Sequence, residues 1–317
     1  MHTEKKIDVC IPVYRPGEKY KRLLKMLDKQ TVKINRLICM YTREDDKDLY
    51  RSRDIEKVSF PILVKEIDKR DFDHGGSRNR AVSLSDADIV VLMTDDAIPY
   101  DERLIENLVR GLKEDKVAVC YARQLADEGS SLAENFSREF NYPPKSLVKS
   151  EKDIETLGIK AFFCSNVCAA YKREIFNELG AFTDHTIFNE DMIFARKVLK
   201  SGYCIRYEAS AKVIHSHDYS NMQQFRRNFD LAVSQKMHPE VFALVSSESE
   251  GIRYVKSAYS YMRKRRKGYM IIPFIVTSAY KYLGYKLGKN YDKLSKRAIM
   301  FCTMNRDFFQ AKWEREE

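Results

Sequence analysis

A chain of 317 residues with 44% hydrophobic content, 12 Gly, 8 Pro and no low-complexity tract has enough apolar surface to offset its chain entropy, which excludes collagen-like, linker-like and wholly disordered classes. The formal net charge of +10 is concentrated: residues 251–317 hold sixteen Lys/Arg against five Asp/Glu, whereas the first 250 residues hold 40 against 41. A nearly neutral body is poorly suited to wrapping a polyanion, and the basic tail points to a negatively charged surface, either anionic lipid or nucleic acid.

Residues 7–14 (IDVCIPVY) form an unbroken apolar run ending at Arg15-Pro16-Gly17, which predicts a strand buried on both faces and then a turn. Glu18 to Lys29 has helical period, with Leu23, Leu24 and Leu27 on one face. Strands are predicted at Leu37–Tyr41, Ile62–Ile67 and Ala87–Met93, with a helix from about Ser77 to Leu84 between the last two. This β-α-β-α-β order predicts an α/β fold with a mostly parallel sheet. A helix at Glu102–Leu112 and a strand at Val117–Tyr121 follow, then a loop at Phe140-Asn141-Tyr142-Pro143-Pro144. Order returns over Ile159–Tyr171, with helices at Glu174–Leu179 and after Asn189, and a short strand at Lys212–His215. From Asn221 the pattern is helical and increasingly basic, so the expected division is a body over 1–240 and a basic helical extension over 241–317.

Seven scattered cysteines in strand-like runs read as free buried thiols of a reducing compartment, with Cys164 and Cys168 in the core rather than in a zinc site. The charged start runs directly into a strand, so no signal peptide is expected, which favours the cytoplasmic side. The apolar stretch from Tyr269 to Gly288 is broken by Pro273 and Lys281 and preceded by Arg263-Lys264-Arg265-Arg266-Lys267. Against the roughly 20 apolar residues of a membrane span, it reads as an interfacial helix on anionic lipid. The alternatives are a helix packed back on its own domain and, less favoured, nucleic-acid binding.

Four clusters carry chemistry. Asp95-Asp96 follows a buried strand, where α/β sheets place ligands, and offers oxygen donors to a divalent cation or an ordinary acidic turn. His74-Gly75-Gly76-Ser77-Arg78-Asn79 opens a helix either as a phosphate cradle or as a glycine turn capped by Ser77. Glu190-Asp191 begins a helix, as a general base or as charge complementing the helix dipole. His215 and His217, two apart on a strand, share one side as metal ligands, phosphate contacts or unrelated surface residues.

In order, these features resemble the family-2 glycosyltransferases of GT-A fold over about residues 5–235. Asp71-Phe72-Asp73-His74-Gly75-Gly76-Ser77-Arg78-Asn79, Met93-Thr94-Asp95-Asp96-Ala97-Ile98-Pro99, Ala122-Arg123-Gln124-Leu125 and Phe140-Asn141-Tyr142-Pro143 resemble the bacterial rhamnosyltransferase branch. The resemblance implies a Rossmann-like nucleotide-diphospho-sugar transferase fold and an inverting transfer of a sugar, rhamnose in that branch, to a glycan or lipid-linked saccharide of a cell-surface polysaccharide. It implies a dTDP- or UDP-sugar donor, Mn²⁺ or Mg²⁺ as cofactor, and a peripheral position on the inner face of the cell membrane. Carried over residue by residue, Pro12, Val13 and Tyr14 cradle the base, with Thr42 and Asp45 or Asp46 completing that pocket. Gly76, Arg78 and Asp95 contact the donor, Asp96 binds the metal with His215 (His217 as substitute), and Asp191 is the catalytic base with Glu190 as neighbour or alternative. A sugar nucleotidyltransferase is a rival reading, but it needs a glycine loop after the first strand, and Tyr14-Arg15-Pro16-Gly17 is too poor in glycine.

Overall fold

The computed structural model describes residues 5–45, 57–217, 219–243, 245 and 247–316. Its first half alternates β1 (Ile7–Val13), α1 (Glu18–Asp28), β2 (Arg36–Arg43), β3 (Ile62–Asp68), α2 (His74–Ser83) and β4 (Ile89–Met93). These strands lie in the order β3-β2-β1-β4 and are all parallel. Their continuous apolar runs have a direct cause: alternate side chains enter different cores. Cys10, Ile38, Met40, Val90 and Leu92 face one cluster. Val9, Ile11, Leu37, Cys39, Val91 and Met93 face the other.

The second half continues with β5 (Ile98–Pro99), α3 (Leu104–Gly111), β6 (Val117–Leu125), α4 (Leu132–Asn141), β7 (Leu147–Lys149), α5 (Ile154–Leu157), β8 (Cys168–Lys172), α6 (Arg173–Glu178), α7 (Glu190–Lys200) and β9 (Cys204–Ile214). Here the sheet is mixed rather than mostly parallel. β8 is antiparallel to both β4 and β6, while β9 runs parallel to β6 and pairs antiparallel with β5 and β7. The chain leaves β6 at the end of the sheet where β4 also finishes. Residues 126–167 run through α4 and then through β7, which pairs antiparallel with the start of β9 at Ile205–Tyr207, and return to that end at Ser165-Asn166-Val167, so β8 enters there and runs opposite to β4 and β6. The same rim therefore collects the carboxyl ends of β1, β2, β3, β4, β6 and β9.

Among the described residues the α-helices after β9 are α8 (Asn221–Met237), α9 (Pro239–Phe242), α10 (Ser247–Lys264), α11 (Ile271–Gly288), α12 (Lys296–Cys302) and α13 (Arg306–Glu316). α10 and α11 pack on α4 through Phe136, Ala258, Met262 and Phe274. α12 and α13 pack on α8 through Ile299, Cys302 and Phe309 against Phe225, Phe229 and Val233. All seven cysteines are free thiols, and Cys164 and Cys168 are buried in the core.

Candidate active site

Three consecutive residues at the rim, Ser165-Asn166-Val167, tie the separate clusters together. The Thr94 N–H donates to the Val167 carbonyl (3.2 Å), fixing the turn that carries Asp95 and Asp96. The Asn166 N–H donates to Asp191 Oδ2 (3.1 Å), and the Ser165 hydroxyl accepts from Gln124 Nε2 (2.9 Å). Gln124 Oε1 in turn meets Nδ1 of His215 (3.1 Å). Acidic turn, base candidate and histidine strand, nearly 120 residues apart in sequence, thus share one small scaffold.

Asp96, His215 and His217 form a group whose donor atoms lie within 4.8 Å of one another. Each histidine Nε2 is 3.5 Å from an Asp96 oxygen, and the two Nε2 atoms are 2.9 Å apart. With His215 Nδ1–H directed at Gln124, the Nε2 lone pair faces Asp96, the orientation a ligated imidazole needs. Burial pushes both imidazoles below their ordinary pKa, and at His215 the neighbouring His217 adds to the effect, so both are neutral and ready to bind a cation. One carboxylate and two imidazoles fit a divalent metal, and His215 and His217 stand together in that group. Asp95 does not point the same way: its Oδ2 accepts the Tyr14 N–H (3.1 Å), and burial raises its carboxyl to about 6, with Asp96 contributing.

Glu190 and Asp191 occupy the first turn of α7 but divide the work. Glu190 is buried, 3.2 Å from the Arg78 guanidinium, and accepts from Asn166 Nδ2 (3.1 Å). Burial opposes its ionisation, yet Arg78, His74 and Asn166 outweigh that and hold it below the usual carboxylate range. Asp191 is partly exposed; burial first, and then the Glu190 charge, raise its carboxyl to about 7 despite amide donors from Asn166 and Met192. A carboxylate that exchanges its proton near neutrality suits general-base work, and the firmly ionised Glu190 does not.

Several expected donor contacts have other partners. Asp73, not Ser77, caps α2, taking the Gly76 N–H on its carboxylate, so the helix starts three residues earlier than expected and that amide is occupied. A Cβ on Gly75 would sit 2.3 Å from the Thr183 carbonyl, so this glycine serves a close backbone approach. Arg78 is 5% exposed and donates to the His74 carbonyl (2.8 Å), with its Nε unpartnered among the described residues. Tyr14 is exposed, with its hydroxyl on Glu44. Val13 and Thr42 are buried at their strand ends and Pro12 is partly buried, while Asp45 lines a cleft of about 840 Å³ with Glu44 and residues 68–73. Asp46 lies outside the described residues.

Residues 8–180 match the family described as glycosyl transferase family 2. Across 96% of both chains the protein is 36% identical to the O-antigen chain rhamnosyltransferase RfbN of Salmonella typhimurium, and across 95% of both it is 33% identical to the O-antigen chain rhamnosyltransferase WbaN of Salmonella anatum. This chain is a family 2 glycosyltransferase. The fold of the glycosyltransferase is GT-A. It superposes on the mannosyltransferase PcManGT from Pyrobaculum calidifontis, solved with GDP-Man and Mn²⁺, with a TM-score of 0.60 over 92% of this chain and 89% of that one at 14% identity. It superposes on S. aureus TarS 1-349 with a TM-score of 0.50 over 91% of each chain at 12% identity.

The matched family region of the glycosyltransferase includes the acidic turn but ends before Glu190, Asp191, His215 and His217, so those four rest on the geometry above. Sequence reasoning missed the cations around the metal group. Lys19 Nζ reaches the Ser216 carbonyl (3.4 Å), and the Arg227 guanidinium lies over the rings of Phe188 (4.7 Å) and Tyr219 (5.7 Å), with Tyr219 stacked on His217. Arg227 sits in the second turn of α8, and its nearness in sequence to the His-Ser-His strand end is the one signal that pointed to it. Gln124 stands inside the Ala122-Arg123-Gln124-Leu125 segment, which carries no sign of its contact with His215.

Proposed function

We propose that this glycosyltransferase moves rhamnose from a nucleotide diphosphate donor, dTDP- or UDP-linked, to a hydroxyl of a lipid-linked glycan during cell-surface polysaccharide synthesis. The rhamnosyl part of the reading is supported by the two curated relatives, which match nearly end to end. The observation that carries the mechanism is the joint placement of Asp191 and the Asp96–His215–His217 group on the Ser165–Val167 scaffold. Asp191 takes the proton of the acceptor hydroxyl as its oxygen attacks the anomeric carbon, and the bond from that carbon to the diphosphate oxygen breaks on the opposite face, inverting the centre. A bound divalent cation supplies charge neutralisation for the departing diphosphate. Asp96, His215 and His217 would hold it, and the two imidazole donors favour Mn²⁺ over the strictly oxygen-seeking Mg²⁺. Arg227 and Lys19 add fixed positive charge beside that site, while Arg78 keeps Glu190 ionised so that its charge raises Asp191.

The second part of the proposal concerns location. Among the described residues no helix is long and apolar enough to cross a membrane. On α11, however, Ile272, Val276, Tyr280, Leu283 and Leu287 are exposed at helical spacing, and the Arg263–Lys267 run lies at the turn leading into this helix. An exposed apolar stripe beside a basic cluster suits the headgroup region of an anionic membrane on the cytoplasmic side, where a lipid-linked acceptor resides. The decisive experiment measures nucleotide diphosphate release with Mn²⁺ from a panel of dTDP-, UDP- and GDP-sugars. Release from dTDP- or UDP-rhamnose in the presence of a lipid-linked acceptor supports the assignment; turnover of a GDP-sugar alone overturns it.

A further inference from the structure

The last helix has two faces with different tasks. Phe309 of α13 is fully buried against α8, and Trp313, one turn on, packs in the same cluster. The other face, with Asp307, Gln310, Ala311 and Glu314 at i, i+3, i+4 and i+7, lines the 840 Å³ cleft at the ends of β2 and β3. The helix is pinned across the mouth from both ends. Asp230 on α8 accepts from the Thr303 hydroxyl (2.6 Å) and the Met304 N–H (2.9 Å), and Asn305 caps the first turn through the Phe308 N–H (3.1 Å). At the far end Arg315 reaches His185 Nδ1 (3.0 Å).

The lining selects among ligand parts. Carboxylates outnumber Lys and Arg in it by seven to four, an unfavourable setting for a diphosphate but one rich in acceptors for sugar hydroxyls and an imide N–H. Phe72 and Phe308 supply aromatic surface for a flat base. Tyr14 bridges the two regions, its N–H on Asp95 in the acidic turn and its hydroxyl on Glu44 in the cleft, so the cleft is about one tyrosine length from the carboxylates of that turn.

Resting on the nucleotide-sugar reading above, we propose that α13 forms one wall of the donor's nucleoside pocket. Phe308 and Gln310 face the base, while the diphosphate extends past Tyr14 toward Asp96, His215 and His217. The C-terminal helix is then a determinant of nucleotide specificity rather than a structural appendage alone.

Calorimetry on the full chain with Mn²⁺ tests this, using dTDP as one probe and inorganic diphosphate as the other, on the parent and on Phe308→Ala, Gln310→Ala and Ala311→Trp. The last two substitutions lie on the cleft face and leave Phe309 and Trp313 in place. The expected result is dTDP binding weakened roughly tenfold by Phe308→Ala, the usual scale for one lost stacking partner, and lost in Ala311→Trp, with diphosphate binding unmoved in both and the melting temperature unmoved in Ala311→Trp, whereas Phe308→Ala also loses packing on Phe309. Binding of dTDP by the parent that none of the three variants alters overturns the role of α13 and leaves the donor reading intact. Equal loss for both probes overturns the nucleoside assignment. A parent chain that binds none of dTDP, UDP and GDP overturns the donor reading and this inference with it.

Discussion

At the scale of single residues, the division between Glu190 and Asp191 makes the sharpest predictions. Asp191→Asn removes the proton acceptor but keeps its shape, so turnover should fall roughly 10²- to 10⁴-fold while donor binding by calorimetry stays near the parent value. Near-parent turnover would end the assignment. Because the base must be ionised and its carboxyl sits at about 7, kcat/KM should fall tenfold per pH unit below that value. Glu190→Gln removes the like charge and leaves Arg78 uncompensated; both effects favour ionised Asp191, so the acid limb of the profile should move to lower pH. An unmoved limb would detach Glu190 from the base. Gln124→Ala frees the His215 ring without touching a donor atom, and Mn²⁺ affinity should drop about 10- to 100-fold, the range for lost outer partners of a ligating histidine. The acids and histidines were legible in the sequence as short motifs at strand ends. Their partners were not, because Gln124, Asn166 and Arg227 carry no motif and acquire meaning only when the chain folds.

At the scale of elements, α11 depends on two glycines. A Cβ at Gly284 would lie 2.1 Å from the Phe225 carbonyl oxygen, and one at Gly288 would lie 2.3 Å from that of Phe229, so the helix lies directly against the α8 backbone. Gly284→Ala should therefore push the helices apart and cost about 1–3 kcal/mol, the usual range for overpacking, although alanine is the better helix former. A lowered melting temperature checks this; an unchanged or raised one would show that the helices separate freely. The two-sided apolar runs of β1, β2 and β4 announced a parallel half-sheet because both faces are covered. The sequence marks only Lys212–His215 of β9, since Arg206, Glu208 and Ser210 interrupt the apolar run and its alternation with Ile205, Tyr207 and Ala209 marks a strand only beside β6 and β7. The end of α4 reads as loop in the sequence because the helix start rests on a Ser131 side-chain cap and its buried face on Phe136 against the distant α10.

At the scale of the whole molecule, the asymmetry between a neutral body and a basic tail bears on the membrane placement proposed above. α11 is fastened to α8 by its glycine face and presents an apolar stripe on another, with Ile272 73% exposed and Leu283 55% exposed. Hydrophobic insertion and electrostatic attraction predict different signatures. Flotation with vesicles containing phosphatidylglycerol should carry the protein up, whereas pure phosphatidylcholine should carry little, and added salt should weaken the first. Replacing Arg263, Lys264 and Lys267 with Gln should reduce anionic-vesicle binding sharply, at about 1 kcal/mol per basic side chain near such a surface. Ile272→Ser with Leu283→Ser should instead remove the part of the binding that survives high salt. All of these side chains lie outside the cleft, so calorimetric dTDP affinity should not change in either variant, which separates a surface-anchoring loss from a catalytic one. Equal flotation with neutral and anionic vesicles, or none with either, would remove the membrane from the account and leave the tail as packing for α8 and a wall for the cleft.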